Sequence, residues 1–220
     1  FVLATWAQLL LRPRLNKSSS MPDSTYFDRE GPTSGTSTER RNDMVGPVAL
    51  QQVDDECLEE LLAVAVDDAA PEEVMPPVAG SPGWTLERQD AFRAWHRARR
   101  PGLAGPIRES TFAITYGGKV VGSARLALRE SLGVLETGMW LARSQRGRGI
   151  GTVTLRLLLQ EAARTGARAV VAETKTHNTA ALAALRRNGA TLITSQDGTE
   201  VHAELLPKDT PPTSPSTANL

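Results

Sequence analysis

The stretch QRGRGIG, residues 145–151, constrains this chain more than any other. Before it stands VLETGMWLA (residues 134–142), whose apolar and β-forming residues predict a strand. After it, IGTVTLRLLLQEAARTGA sets Ile150, Val153, Leu157 and Leu158 at helical spacing, and Gly166 ends the run. A strand that turns through glycines into a helix presents several unpaired N–H groups and the positive end of the helix dipole at one point, and that point binds an anion. Gly147, Gly149 and Gly151 leave room for oxygens to approach the backbone, while Arg146 and Arg148 add positive charge. A diphosphate is the natural occupant. On these residues alone it could belong to any nucleotide, and a glycine-rich turn without a ligand stays open as the plainer reading.

Two kinds of nucleotide site fit less well. A Walker loop ends in Gly-Lys-Ser/Thr, whereas here Gly151 is followed directly by Thr152. A dinucleotide fingerprint counted from Gly147 needs its third glycine at Thr152 and an acid after the next strand. Glu173 stands about where that acid would be, so this reading is weakened and not removed.

The rest of the chain predicts a mixed α/β (α+β) order with several hairpins, not the regular alternation of a doubly wound sheet. A short strand over residues 48–53 leads to Asp54 as the cap of a Leu-rich helix ending near Ala70. Residues 71–84 carry too much Pro and Gly for regular structure, and Thr85 caps a second helix closed by Pro101 and Gly102. Two β-rich runs joined by Gly117 and Gly118 read as a hairpin. Beyond the glycine-rich turn come a strand (ARAVVAET), a helix capped by Asn178 and ended by Gly189, and a final antiparallel pair.

With 220 residues the chain supports one globular domain, taken as residues 46–206. Residues 1–45 read as a disordered extension, with a start assigned too far upstream as one cause, and residues 207–220 as a disordered Pro/Ser/Thr tail. The 25 basic and 25 acidic residues balance, so no long-range field favours nucleic acid or an anionic membrane. The opening apolar run is too short to cross a membrane. The lone Cys57 reads as a core residue, and a chain without a disulfide fits the cytoplasm. His96, His177 and His202 lack partners at metal-ligand spacing, so no metal is expected. Arg93, Arg97 and Arg100 share a helix face that reads as solvated, and Phe92 and Trp95 read as core anchors.

Two blocks together are more specific. Arg146, Gly149 and Gly151 fill the Arg/Gln-x-x-Gly-x-Gly/Ala signature, and Asn178, Ala181 and Gly189 the Asn-x-x-Ala…Gly block, of the GNAT acetyltransferases, which the chain resembles in element order from about residue 46 to 206. The resemblance implies a mostly antiparallel central sheet flanked by helices, and transfer of acetyl from acetyl-CoA to a primary amine by direct attack. It implies that the backbone of Met139, Trp140, Leu141 and Ala142 holds the pantetheine arm and the thioester carbonyl, with N–H groups near Leu141 stabilising the oxyanion. Arg146, Gly147, Arg148, Gly149, Ile150, Gly151 and Thr152 would bind the diphosphate, and Asn178 the pantetheine side. Glu136 is the candidate base, with Glu173 second. Met75 and Trp84 are expected to border the acceptor pocket, and Glu72 and Glu73 to attract a cationic amine. Many family members carry a tyrosine proton donor where this chain has Leu185. That departure keeps a second reading in view, a CoA-binding module or sensor with weak turnover. Expected partners are acetyl-CoA and an amine, without nucleic acid or membrane, and with a homodimer possible.

Overall fold

Residues 46–131 and 133–208 are described by the structure, a computed structural model. The extension expected over residues 1–45 lies outside them, as does the tail from residue 209 onward.

Strand β1 (Val48–Gln52) runs into Asp54, whose carboxylate accepts from the Cys57 N–H at 2.8 Å and caps α1 (Asp55–Asp68). The buried face of α1 is Cys57, Leu58, Leu61, Leu62 and Ala65, spaced as an amphipathic helix requires. Burial, helped by Asp54 and Glu60, pushes the Cys57 thiol up to a pKa of about 11, so it is a packing group and not a nucleophile at neutral pH.

Regular structure appears where the sequence predicts none: α2 (Pro71–Val74) forms one turn. Pro71 takes a position where a missing N–H is harmless, and the Glu73 side chain accepts from the Ala70 N–H at 3.4 Å. Thr85 caps α3 (Leu86–Ala98) by accepting from the Arg88 N–H at 3.3 Å. The basic face of α3 is not simply solvated. Arg93 forks onto Glu59 at 2.8 and 2.9 Å, while Arg97 and Arg100 both reach Asp55, at 3.2 and 2.8 Å. Arg100 first and then Arg97 hold the Asp55 carboxyl down to about 2. The helical spacing that places three cations on one face also places them against the acids of α1.

After a 3-10 turn at Gly102–Ala104 come β2 (Glu109–Tyr116), β3 (Lys119–Leu128), β4 (Val134–Leu141), α4 (Ile150–Arg164), β5 (Ala169–Lys175), α5 (Thr179–Arg187), β6 (Thr191–Thr194) and β7 (Glu200–Leu205). They form one seven-stranded sheet in the order β1-β2-β3-β4-β5-β7-β6. Every pairing is antiparallel except β4 with β5, which α4 joins as a crossover. The expected mixed, mostly antiparallel sheet flanked by helices is therefore present. The final pair does not simply extend it, because β7 inserts between β5 and β6.

Strand alternation divides the core in two. Phe112, Ile114, Ala124, Leu126, Leu135, Met139, Val170, Ala172 and Ala203 meet α4 and α5 on one face. Ala113, Val120 and Trp140 meet α1 and Phe92 of α3 on the other, and no residue of β5, β6 or β7 belongs to that second cluster. On α4 the inward face is Ile150, Thr154, Leu155, Leu158, Leu159 and Ala162, with the expected Val153 and Leu157 only half-buried. A run with leucines at 155, 157, 158 and 159 does not itself choose which pair completes the i, i+4 rows.

Candidate active site

The two halves of the sheet come apart at one point. Strands β4 and β5 pair at Val134↔Ala169, Leu135↔Val170 and Glu136↔Val171, and residues 137–141 continue with β3 on one edge and no β5 partner on the other. The Ala142 N–H donates to the Val121 carbonyl at 3.0 Å, so even-numbered residues bond toward β3. The N–H and C=O groups of Met139 and Leu141 consequently turn to the open edge, where the Arg146 Nε finds the Leu141 carbonyl at 3.0 Å. The side chains of Met139 and Trp140 are fully buried, in opposite clusters, so what these residues offer at the opening is backbone.

Directly beyond β4 lies the glycine-rich turn. Gly149 caps α4 with φ 79° and Gly147 has φ 76°, a region that L side chains adopt only with strain. A Cβ at either position would meet nothing within 4 Å, so glycine is needed here for backbone conformation and leaves open space in front of it. The Arg146 N–H bonds to the Arg143 carbonyl and the Thr152 N–H to the Gly149 carbonyl. Between those two residues, no backbone N–H finds an acceptor among the described residues. These donors line a groove of about 200 Å³ that also takes in Leu141, Gln145 and, from α5, Ala180, Ala183 and Arg187. The geometry fits an anion with several oxygens.

The arginines are placed less simply than the sequence implies. Arg146 borders the groove but is folded back, bonding Leu141 and, at 3.3 Å, the Glu73 carboxylate. Arg148 bonds Gln145 at 2.9 Å and lies 5.0 Å over the Tyr116 ring. Arg187, exposed at the end of α5, is a groove residue that sequence reasoning missed. Its spacing from Ala180 and Ala183, on one helical face with two small residues, was the available signal. Asn188 was missed as well. It is buried, and its Nδ2 donates to the Thr152 carbonyl at 3.1 Å, fastening α5 to the first turn of α4. Asn178 uses its side chain locally, accepting from the Ala181 N–H at 3.2 Å and donating to Thr174 Oγ1 at 3.1 Å.

The two candidate carboxylates differ. Glu136 is buried on the α1–α3 face in a network with Arg125 and Arg129, and Arg125 also contacts Glu109, which holds Arg99 at 2.9 Å. Glu173 lies on the same face of the sheet but on β5, beyond the reach of the second cluster, with its side chain 28 % exposed and His202 across the β5–β7 register at 3.9 Å. Continued two places past Glu136↔Val171, the parallel register would set Glu173 opposite Gly138, at the mouth of the opening. Met75 is buried in the second cluster, and Trp84 donates its ring N–H to the Ala69 carbonyl at 3.0 Å, so both anchor the 71–84 loop to the core. Leu185 lies fully buried in the first cluster. The Ser144 N–H donates to Asp68 at 2.8 Å.

A larger cavity, about 290 Å³, lies elsewhere, between residues 52–55 and Arg99, Arg100, Ser110 and Thr111. Its arginines are already paired, Arg100 with Asp55 and Arg99 with Glu109, and Ser110 Oγ accepts from the Leu103 N–H, so the smaller groove with its unpaired donors is the candidate. Among the described residues no group of His, Cys, Asp and Glu could hold a metal ion, and no helix is long and apolar enough to cross a membrane.

Solved structures share this architecture. RimJ of Mycobacterium smegmatis, in complex with CoA-disulfide, superposes with a TM-score of 0.59 at 21 % identity, covering 74 % of this chain and 84 % of that one. RimL, a ribosomal L7/L12 alpha-N-protein acetyltransferase in complex with coenzyme A, gives 0.55 at 18 % identity, covering 74 % and 97 %. The putative acetyltransferase yncA of Salmonella typhimurium, with acetyl-CoA, gives 0.52 at 19 %, covering 74 % and 95 %. No curated protein matches the chain. The family model described as Acetyltransferase (GNAT) family matches residues 71–190, which include β4, the glycine-rich turn, α4, β5 and α5, and the chain belongs to that family.

Proposed function

We propose that this protein transfers the acetyl group of acetyl-CoA to a primary amine. The observation that carries the reading is the row of unpaired amides between Arg146 and Thr152, set at the end of a strand whose outer edge is open. Those amides, with Arg187 beside them, would hold the diphosphate, and the open-edge groups of Met139 and Leu141 would hold the pantetheine arm and meet the thioester carbonyl. Acetyl-CoA supplies the activated thioester. The protein must orient it and take a proton from the attacking amine, so that the C–N bond forms and the C–S bond then breaks, coenzyme A leaving as its thiolate.

For that proton the geometry favours Glu173. Two guanidinium groups already take the Glu136 carboxylate, and its burial leaves an amine no way to it. Glu173 stands at the mouth of the opening on a face that no helix of the second cluster covers, so an amine reaching it from that side meets the acetyl group through the gap. Met75 and Trp84 fix the 71–84 loop that would wall the acceptor side. The single buried Cys57 agrees with a cytoplasmic setting.

One observation favours a second reading, a CoA-binding module with little turnover. Leu185, in place of a tyrosine proton donor, is sealed in the core. Calorimetric titration of coenzyme A and an acetyl-CoA consumption assay across an amine panel separate the two. Binding together with turnover on at least one amine supports the enzyme, and binding without turnover on any supports the module. Gly149→Glu should abolish binding in either case, because it sets bulk and negative charge before the amides, at a folding cost of about 1–2 kcal/mol from its left-handed backbone. Unchanged binding in that variant would move the cradle elsewhere.

A further inference from the structure

The turn that leads into the groove is tied to the corner between α1 and α2. Asp68, the last residue of α1, accepts from the Ser144 N–H at 2.8 Å. Glu73 of α2 pairs with Arg143 and with Arg146, each at 3.3 Å, while its own carboxylate is steadied by the Ala70 N–H. Burial pushes the Glu73 carboxyl up, but the Ala70 N–H and the charges of Arg146 and Arg143 outweigh it and leave the group below the usual glutamate value, ionised at neutral pH. Arg146 is shared between two neighbourhoods. It borders the groove of unpaired amides, and it carries the carboxylate that holds the start of the 71–84 loop. An anion entering the groove and the Glu73 carboxylate therefore draw on the same positive charge.

We propose that Glu73 is an internal competitor of the coenzyme A diphosphate for Arg146, so that loading the groove loosens the α1–α2 corner and the acceptor-side loop that starts there. This rests on the reading that the groove takes coenzyme A. While Glu73 is paired, the corner is closed onto the turn and the arginine charge is partly spent. When the diphosphate takes up that charge, the pairing that fixes residues 71–75 weakens and the loop becomes free to accommodate an acceptor.

Two measurements test this. Calorimetric titration of coenzyme A into wild type and Glu73→Gln should show the variant binding about two- to fivefold more tightly, since one competing anion is gone while the neutral side chain still accepts from Ala70. The difference should shrink at high salt. Hydrogen exchange of the wild type should show backbone amides of residues 70–78 exchanging faster with coenzyme A bound, and this readout stands alone if the variant does not fold. Equal or weaker affinity in the variant, or exchange in residues 70–78 that is unchanged or slower on binding, overturns the proposal while coenzyme A binding itself stands. No binding to wild type at saturating coenzyme A overturns the underlying reading, and this proposal with it.

Discussion

Glu136 and Glu173 are carboxylates of one sheet face, and their surroundings differ, one buried among arginines and the other partly open. Glu136 completes a buried set in which three arginines meet two glutamates. Glu136→Gln leaves the buried Arg125 with Glu109 as its remaining counter-charge and should cost about 1.5–3 kcal/mol in a urea melt, the worth of hydrogen bonds to a charged group. Glu173→Gln touches a half-exposed group and should change stability by less than about 0.5 kcal/mol while lowering kcat about a hundredfold or more. A full-rate Glu173→Gln enzyme would remove that residue from the chemistry. The sequence named both acids but ranked Glu136 first, since nothing in ETGMWLA shows that Arg125 and Arg129, on and just beyond β3, will close around its carboxylate. The glycines were legible, because a positive φ leaves its mark in residue type. Where Arg146 and Arg148 turn their side chains was not, because an arginine reaches several partners from one Cα.

Among the elements, α5 shows how a short helix is placed. Asn178 caps it and also ties it back to Thr174 on β5, while Asn188 at its far end grips the Thr152 carbonyl of α4. Asn178→Ala should cost about 1 kcal/mol by chemical denaturation, and Asn178→Asp, which keeps the acceptor for the Ala181 N–H, should recover most of it. A loss near zero for the alanine variant would mean that the cap is idle. Such ends are readable in advance, as Asp54, Thr85 and Asn178 all proved to be, because a cap acts on amides two or three residues away. The insertion of β7 between β5 and β6 was not, since strand order depends on contacts that no local pattern encodes. The α2 turn was missed because proline and glycine content was read as excluding regular structure, while Pro71 begins a helix as readily as it ends one.

At the scale of the molecule, one buried ring answers acid before the paired carboxylates do. His96 is fully buried against Phe92 and Trp95 at ring distances of 4.6 and 4.8 Å, and among the described residues neither ring nitrogen has a hydrogen-bond partner. Burial first, and the charge of Arg99 second, hold its pKa down to about 3. Between that value and the ordinary 6.5 the unfolded chain binds a proton that the folded one refuses, so this ring withdraws stability as pH falls from about 6.5, by up to about 1.4 kcal/mol per pH unit. Asp55 and Asp197, both held at about 2, lose their contribution only below about pH 4. Urea midpoints at pH 7, 5.5 and 4.5 should therefore drop well before the carboxylates titrate, and His96→Phe should flatten that part of the curve. A wild-type midpoint constant from pH 7 to 4.5 would contradict the burial of a neutral ring. The parting of β4 from β5 carries a different consequence. A slit that pierces a sheet has two mouths, with α4 and α5 at one and the bare outer face of β5 and β7 at the other. Two reactants that each use their own mouth never block one another's way in. A single synthetic molecule that joins the two would have to thread the slit, and would shut out both at once.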